Sequence, residues 1–445
     1  MKQHRDIAER SPERLEISSI AAGGEGVAHL LHEDHRRAVF VPQVAPGDIL
    51  EAMVDWRRKP ARARVVRMIE ASSMRVIPPC TIAANCGGCD LMHLTLEAQV
   101  EVHRAIVAAA LERAHDGRSE AGARVPHIAT HPAPRAAGYR TRARLAVRTE
   151  RGGVVLGYRQ ASSREVLAVE RCWVLDDRLN ALLPDLQDLF RDGRGHGEVA
   201  IALGTAGRPV IDLRWTGELE GSFFAALGAR IEKGVYAGAE VWLDGARAPA
   251  RFGDPRALTS AADGEPMWVP SGAFAQAHPA MNIELGERLL ACTEPSGQAV
   301  VELFGGSGNF TVLLARHAGS LIAVESDARA VDAARANLAR RGLTARILQR
   351  DADSFELPPG VRLVVLDPPR AGAGGAMRQI LASRARRVVY VSCNVSTLAR
   401  DIATLAGGGF QLSTVDMFEM FPHTSHVEAL VVLDRRRPST SARAT

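Results

Sequence analysis

The sequence predicts an α/β protein: a doubly wound parallel-sheet domain over residues 266–445, preceded by a small β-barrel over 1–71 and a β-rich central segment over 72–265. Three observations predict it. From about residue 265 apolar β-branched runs of strand length alternate with segments of helical length, as in QAVVELF, SLIAVESD, ARILQRD, VRLVVLD, RRVVYVSC and EALVVLDR. The first of these runs leads into Gly305, Gly306, Ser307 and Gly308, then into the helical FTVLLARHA. Two others end abruptly in chemistry, VRLVVLD at Asp367-Pro368-Pro369-Arg370 and RRVVYVSC at Ser392-Cys393-Asn394. In an open parallel sheet the ligand crevice lies beyond the carboxyl ends of the strands, so these runs deliver an acid and a thiol to one place.

The totals set bounds. A chain of 445 residues is long enough for two to four domains with separate cores. No apolar run reaches membrane-spanning length and the first residues, MKQHRDIAERSPER, lack an apolar signal core, so a cytoplasmic protein without a membrane partner is expected. The formal charge is only +4. Its cations are nearly all Arg, clustered in RRKPARARVVR (57–67), around 134–151, and in the tail RRRPSTSARAT. Arg suits bidentate phosphate contact and stacking on bases, although a solvated Arg-rich surface fits the clusters equally well. The six cysteines, in a reducing compartment, read as metal ligands or catalytic thiols before disulfides.

Taken in order, residues 14–70 form short alternating runs broken by Gly23, Gly24, Gly26 and by Pro46-Gly47-Asp48, the pattern of a barrel of about five strands. Such barrels often bind single-stranded nucleic acid, yet Phe40 and Trp56 are the only aromatics nearby. Cys80, Cys86 and Cys89 follow as C-x5-C-x2-C, with Gly87-Gly88 allowing the backbone to fold tightly. Cys172 is the candidate fourth ligand, and the set suits either a four-iron cluster or a four-thiolate zinc site. Residues 94–114 predict an amphipathic helix with Val100, His103, Val107 and Leu111 on one face and Gly117 past its end. His103 is expected to pack. The central segment predicts hairpins turning at Arg151-Gly152-Gly153 and near Ala206-Gly207, with a helical LNALLPDLQDLFRD between them. Arg140, Arg142, Arg144 and Arg148 alternate along the first hairpin and so share one face, which an RNA-facing sheet or a plain solvent face would both explain.

In the last domain Glu325 closes the second strand, 20 residues after Gly305. A strand, a glycine loop, a helix, a second strand and a terminal acid suit an adenosine ligand, with the carboxylate at the ribose hydroxyls. The spacing G-G-x-G departs from G-x-G-x-x-G and speaks against a dinucleotide. Cys292 has no motif around it and is expected to pack.

LFGGSGNF, LDPPRAG, VSCNVSTLARD and HVEALVVL together resemble the successive motifs of the RNA uridine-5 methyltransferases. That resemblance implies a Rossmann-like domain dependent on S-adenosylmethionine and a 5-methyluridine product. The cysteine set and the N-terminal barrel, similar to a TRAM/OB-like module that binds RNA, imply the branch that modifies 23S ribosomal RNA and carries a [4Fe-4S] cluster on Cys80, Cys86, Cys89 and Cys172. The resemblance further implies Cys393 as nucleophile, Glu428 as terminal base, and Gln276, Phe304, Asn309, Glu325, Asp351 and Asp367 around the cofactor. A monomer that takes a flipped or single-stranded uridine is expected. The chemistry agrees with the residue types: uracil C5 is a poor nucleophile until a thiolate adds at C6, and a base must then remove the C5 proton. The chain departs from the family pattern at His278 (the usual Gln-x-Asn is Gln276-Ala277-His278), at Gly305 where Cys is common, and at Val395 where Pro is usual. Methylation of tRNA uridine or of cytosine C5, and an RNA-binding or ribosome-assembly protein with a vestigial cofactor site, are the alternative readings.

Overall fold

The structure is a computed structural model and describes residues 11–30, 37–115, 125–150 and 153–436. The chain divides into two units, Met1–Ile106 with Pro422–His426, and Val107–Phe421 with Val427–Thr445.

The first unit contains a closed barrel of β1 (Glu13–Ile20), β2 (Gly26–Leu30), β3 (Val39–Val41), β4 (Ile49–Asp55) and β5 (Ala61–Glu70), in the order β1-β2-β3-β5-β4. Alternate residues face inward, Leu15, Ile17, Ala28, Val39, Val41, Leu50 and Ala52 all being buried. Gly24 takes a φ of 83° in the first turn. Gly26 is needed for space, since a Cβ there would lie 2.2 Å from Val44. Asp48 locks the second turn: its carboxylate accepts from Ala45 N at 2.6 Å and Ser72 N at 2.9 Å and pairs with Arg75.

Cys80, Cys86 and Cys89 follow on a run of turns, all half-buried, with the Gly88 N–H directed at Cys86 Sγ (3.4 Å). Among the described residues no three cysteine, histidine or acidic side chains are gathered into a metal-ligand set. Cys172 belongs to the second unit, in a turn tied by Asn180, whose Oδ1 accepts from the Cys172 N–H at 2.8 Å. Helix α1 (Leu96–His115) starts where Thr95 Oγ1 accepts from Ala98 N at 3.1 Å. His103 and Val107 are buried as expected, while Val100 is only half-buried, the inner face running through Ala98, Val102 and Ile106 instead. Gly117 and the 151–152 turn lie outside the described residues. Residues 422–426 are fixed within this first unit: His423 N donates to Gln99 Oε1 at 2.7 Å, His103 Nε2 meets Thr424 O at 2.7 Å, and Ser425 N and Oγ donate to Asp90 at 2.7 and 2.6 Å.

The second unit opens with β6 (Ile128–His131), β7 (Arg142–Glu150), β8 (Gly153–Arg159) and β9 (Val166–Ala168). The helical run expected next is split in two, α2 (Asp177–Asn180) and α3 (Leu183–Leu189), because Pro184 can start a helix and cannot continue one. Then come β10 (Arg194–Leu203), β11 (Pro209–Glu218), α4 (Gly221–Glu232), β12 (Gly238–Leu243) and β13 (Ala250–Gly253). A seven-stranded sheet has the order β13-β12-β11-β10-β7-β8-β9. Its core face carries Leu145, Val147, Val199, Ile201, Ile211, Leu213 and Trp215. The β10–β11 hairpin turns through Ala206 and Gly207, both at positive φ.

A small pair, β14 (Ala257–Ser260) and β15 (Pro266–Val269), leads to α5 (Pro279–Thr293). The remaining elements are β16 (Ala299–Leu303), α6 (Thr311–Ala315), β17 (Ser320–Glu325), α7 (Ala328–Arg340), β18 (Arg346–Gln349), β19 (Leu363–Leu366), α8 (Gly374–Ala382), β20 (Arg387–Ser392), α9 (Val395–Gly407), β21 (Phe410–Phe418) and β22 (Glu428–Arg435). They build an eight-stranded sheet of order β18-β17-β16-β19-β20-β22-β21-β6. β16 to β20 are mutually parallel, and β22 runs antiparallel to both β20 and β21. β19 has only four residues, all fully buried, and burial at about 1.5–3 kcal/mol per aliphatic side chain holds so short a strand in place. β6 is a difference from the sequence reading: IATH lies in the stretch assigned to the central segment, yet it pairs with β21 at the edge of the last sheet. An edge strand of four residues leaves too little periodicity to be seen.

Candidate active site

The strand order reverses between β16 and β19, which leave in opposite directions from a shared centre. This is the switch point at which an open α/β sheet leaves a crevice at its carboxyl edge. β16 is followed by Phe304, held at a φ of 62°, a conformation bulky side chains adopt rarely. The loop then turns through Gly306 and Gly308 at positive φ, and Gly308 lets α7 approach so closely that a Cβ would lie 3.3 Å from Ala334 Cα. Gly305 is different: a Cβ there would make only ordinary contacts from 3.5 Å outward, so the turn does not require glycine at that position.

Glu325, at the end of β17, reaches back to this loop. Its carboxylate accepts from Gly306 N at 2.9 Å, Ser326 N at 2.7 Å and Asp327 N at 2.8 Å. Asn309 exchanges side-chain hydrogen bonds with Asn282, 2.9 Å each way, and Asn282 also donates to Ser260 O. His278, where the family pattern has Asn, is fully buried and caps α5: its Nδ1 accepts from Met281 N at 3.4 Å, so Nε2 carries the proton and donates to Arg135 O at 3.1 Å. Gln276 donates through Nε2 to Asp367 Oδ2 at 3.2 Å, while its buried Oε1 has no partner.

These groups surround a hollow of about 270 Å³ lined by Gln276, Phe304, Gly306, Asn309, Glu325 and Asp367, among others. Asp351 stands outside that lining; its carboxylate caps the 352–354 turn by accepting from Asp353 N at 3.1 Å.

Cys393 follows β20 directly. Because Ser392 pairs with Ala429 in the antiparallel β20–β22 ladder, Cys393 comes opposite Glu428, the first residue of β22. The thiol is half-buried, and burial pushes it up to about 11, with Glu428 and Asp367 adding to the shift. Arg370 opposes them through its charge and by donating a hydrogen bond to the sulfur. Arg370 is itself placed by its carbonyl, which accepts from Asn394 Nδ2 at 2.9 Å and Thr397 Oγ1 at 3.2 Å. Asn394 also caps α9, accepting from Ser396 N at 3.1 Å. Val395 takes the first helical position with its side chain buried, so the helix starts cleanly without a proline. Burial pushes Asp367 up to about 7. Glu428 is 1% exposed, has an unpartnered Oε1, and is raised by burial first and by Asp367 second. A buried carboxyl of raised basicity beside a thiol is the arrangement proton removal from carbon requires.

Of the residues singled out in the sequence, the structure brings Gln276, Phe304, Asn309, Glu325 and Asp367 to one hollow and Cys393 and Glu428 to its neighbourhood. Sequence reasoning gave Arg370 no role. Its signal was position: a cation just past the Pro-Pro of one strand end lies beside the next strand end. Cys292 is buried in the core, as expected.

A switch-point crevice with a glycine loop, a strand-end carboxylate and a thiol–acid pair defines the class, a Rossmann-like methyltransferase domain of the S-adenosylmethionine-dependent type. Residues 267–357 and 345–436 match the tRNA (uracil-5-)-methyltransferase family model. A 23S rRNA (uracil(1939)-C(5))-methyltransferase RlmD from Pseudomonas putida is 35% identical over 95% of this chain and 93% of its own length. The protein of the same name from Alkalilimnicola ehrlichii is 33% identical over 98% and 99%. The solved Pyrococcus abyssi tRNA (uracil-54, C5)-methyltransferase, in complex with S-adenosyl-L-homocysteine, shares the fold with a TM-score of 0.73 at 20% identity, over 94% of this chain and 100% of that one. The chain belongs to the RNA uracil-C5 methyltransferase family.

Proposed function

We propose that the protein methylates C5 of a uridine in 23S ribosomal RNA, with Cys393 as nucleophile and Glu428 as base. The observation that carries this reading is the meeting of Cys393 and Glu428 across the β20–β22 ladder, beside Asp367 at the edge of the glycine-loop hollow. Gln276, Phe304, Asn309, Glu325 and Asp367 would hold S-adenosylmethionine, with Asp351 joining them from the end of the adjacent strand. The orphaned Gln276 Oε1 and the Glu325 carboxylate suit its amino and ribose hydroxyl groups. Bound there, it supplies an electrophilic methyl group.

The protein's own groups do the rest. Cys393, as its thiolate, bonds to C6 and sends the C5=C6 electron pair toward O4, so that C5 displaces the methyl carbon as its bond to the sulfonium sulfur breaks. Glu428 then takes the C5 proton, the double bond re-forms, and the C6–S bond breaks to free the thiol. The base must leave its stack for the sulfur to reach C6, at a cost of about a few kcal/mol. The barrel over 1–71 and the β-rich segment over 72–265 are read as the parts that grip RNA, with 266–445 carrying the chemistry.

The test is nucleoside mapping of ribosomal RNA from a strain lacking this protein. Loss of 5-methyluridine at one 23S position, restored by the gene and not by its Cys393→Ala form, is expected. Loss of 5-methylcytidine, or of a tRNA uridine mark, would replace this reading by the corresponding alternative.

Cys80, Cys86, Cys89 and Cys172 are further proposed as the ligands of a [4Fe-4S] cluster. Support comes from the C-x5-C-x2-C spacing and from the Gly88 N–H aimed at a sulfur, a donor that suits a cluster thiolate. Anaerobically purified protein should contain about four iron and four sulfide per chain; stoichiometric zinc without sulfide would overturn the assignment.

A further inference from the structure

A second hollow, of about 240 Å³, lies on the polar face of the seven-stranded sheet and shares Thr259, Ala273, Phe274 and Ala275 with the cofactor hollow. The strand register explains its shape. Arg144, Ala200 and Asp212 stand side by side across β7, β10 and β11, and Arg142, Ala202 and Val210 form the next row. Two alanines make a low floor between an arginine wall and Asp212. The 270–275 loop forms the rim, and Gly272, at a φ of 70°, lets it close down on Asp212, because a Cβ there would lie 2.9 Å from the carboxyl.

The polar groups of this hollow are incomplete. Asp212 is 2% exposed and neither carboxyl oxygen has a hydrogen-bond partner. Its nearest ion-pair contact, Arg214 Nε, is 3.7 Å away, too far for a hydrogen bond. Arg140 Nε, also lining the hollow, is a buried donor without an acceptor. Beside them Phe274 is 67% exposed, with the Arg142 guanidinium 5.9 Å from its ring centre and an Arg142 hydrogen bond to Ala275 O at 3.2 Å holding that arrangement. An exposed aromatic face next to an unused buried acceptor and an unused buried donor is a nucleobase site in outline: a ring to stack on, and groups for an amino hydrogen and for a carbonyl or ring nitrogen.

We propose that this hollow takes a second unstacked base of the RNA, one that carries an exocyclic amino group, with Asp212 accepting from that group and Phe274 stacking on the ring. The occupant rests on the RNA methyltransferase reading above. Uracil lacks the amino group and turns carbonyl oxygens toward Asp212, so the site discriminates against it.

The experiment uses the full-length protein and the RNA segment around its mapped uridine. Each neighbouring adenosine, cytidine and guanosine is replaced in turn by purine riboside, pyrimidin-2-one riboside or inosine, which lack the amino group. Wild type should lose about tenfold or more in kcat/KM at one position, and Asp212→Ala should show no penalty for that same replacement. Asp212→Ala should also unfold at a temperature no lower than wild type, since it removes an unsatisfied buried group. Equal penalties in the two proteins, or a lowered unfolding temperature with equal penalties, would make Asp212 structural and overturn the proposal. Failure of wild type to methylate the unmodified RNA would instead remove the functional reading, and this occupant with it.

Discussion

Cys393, the proposed nucleophile, is held mostly as the neutral thiol in the free protein. At a pKa of about 11, roughly one thiol in ten thousand is ionised at pH 7. Burial and two carboxylates hold it there, and Arg370 alone works the other way. The signs are testable. The Glu428 charge raises the thiol, so Glu428→Gln removes a repelling group and should move the pH midpoint of Cys393 alkylation down. Arg370→Met removes the attracting cation and a hydrogen bond to sulfur, and should move it up. Both shifts should be about one pH unit, read as iodoacetamide labelling of the Cys393 peptide by mass spectrometry. Unchanged midpoints in both variants would mean that the charges at this site are not the ones assigned to it.

At the scale of elements, legibility followed burial and length. β19 and β20 were readable because each is a buried apolar run ending at a polar break, and the glycine loop because three glycines between a strand and a helix have few other uses. What remained hidden depended on register. Nothing in SHVEAL says that Glu428 faces Cys393; that follows from β22 entering antiparallel beside β20 and pairing Ala429 with Ser392. Asp212 was invisible for the same reason, one acid in an apolar strand until its neighbours across the sheet are known. The division of LNALLPDLQDLFRD at Pro184 was available in the sequence and outweighed by its helical periodicity. His278, which departs from the family pattern, also caps a helix and stacks on Tyr139 at 4.8 Å, a role its sequence position did not announce. The cysteine spacing foretold ligands that the described residues do not gather into one set.

For the whole molecule, a net charge of +4 says little about RNA, whereas its placement says more. Arg62, Arg64 and Arg67 lie along β5 of the barrel in the first unit, and Arg142 and Arg144 share a face of β7 in the second. Each unit thus carries cations of its own, and the proposed chemistry sits at one strand edge of the second. The proposed function turns on a single event, a bond between Cys393 and C6 of a pyrimidine. The most direct measurement incubates the protein and its cofactor with target RNA containing 5-fluorouridine, whose C5 fluorine cannot leave as a proton. Wild type should form a protein–RNA adduct that survives denaturation and maps to Cys393, and Cys393→Ala should form none. An adduct of equal yield in the Cys393→Ala protein would contradict the account.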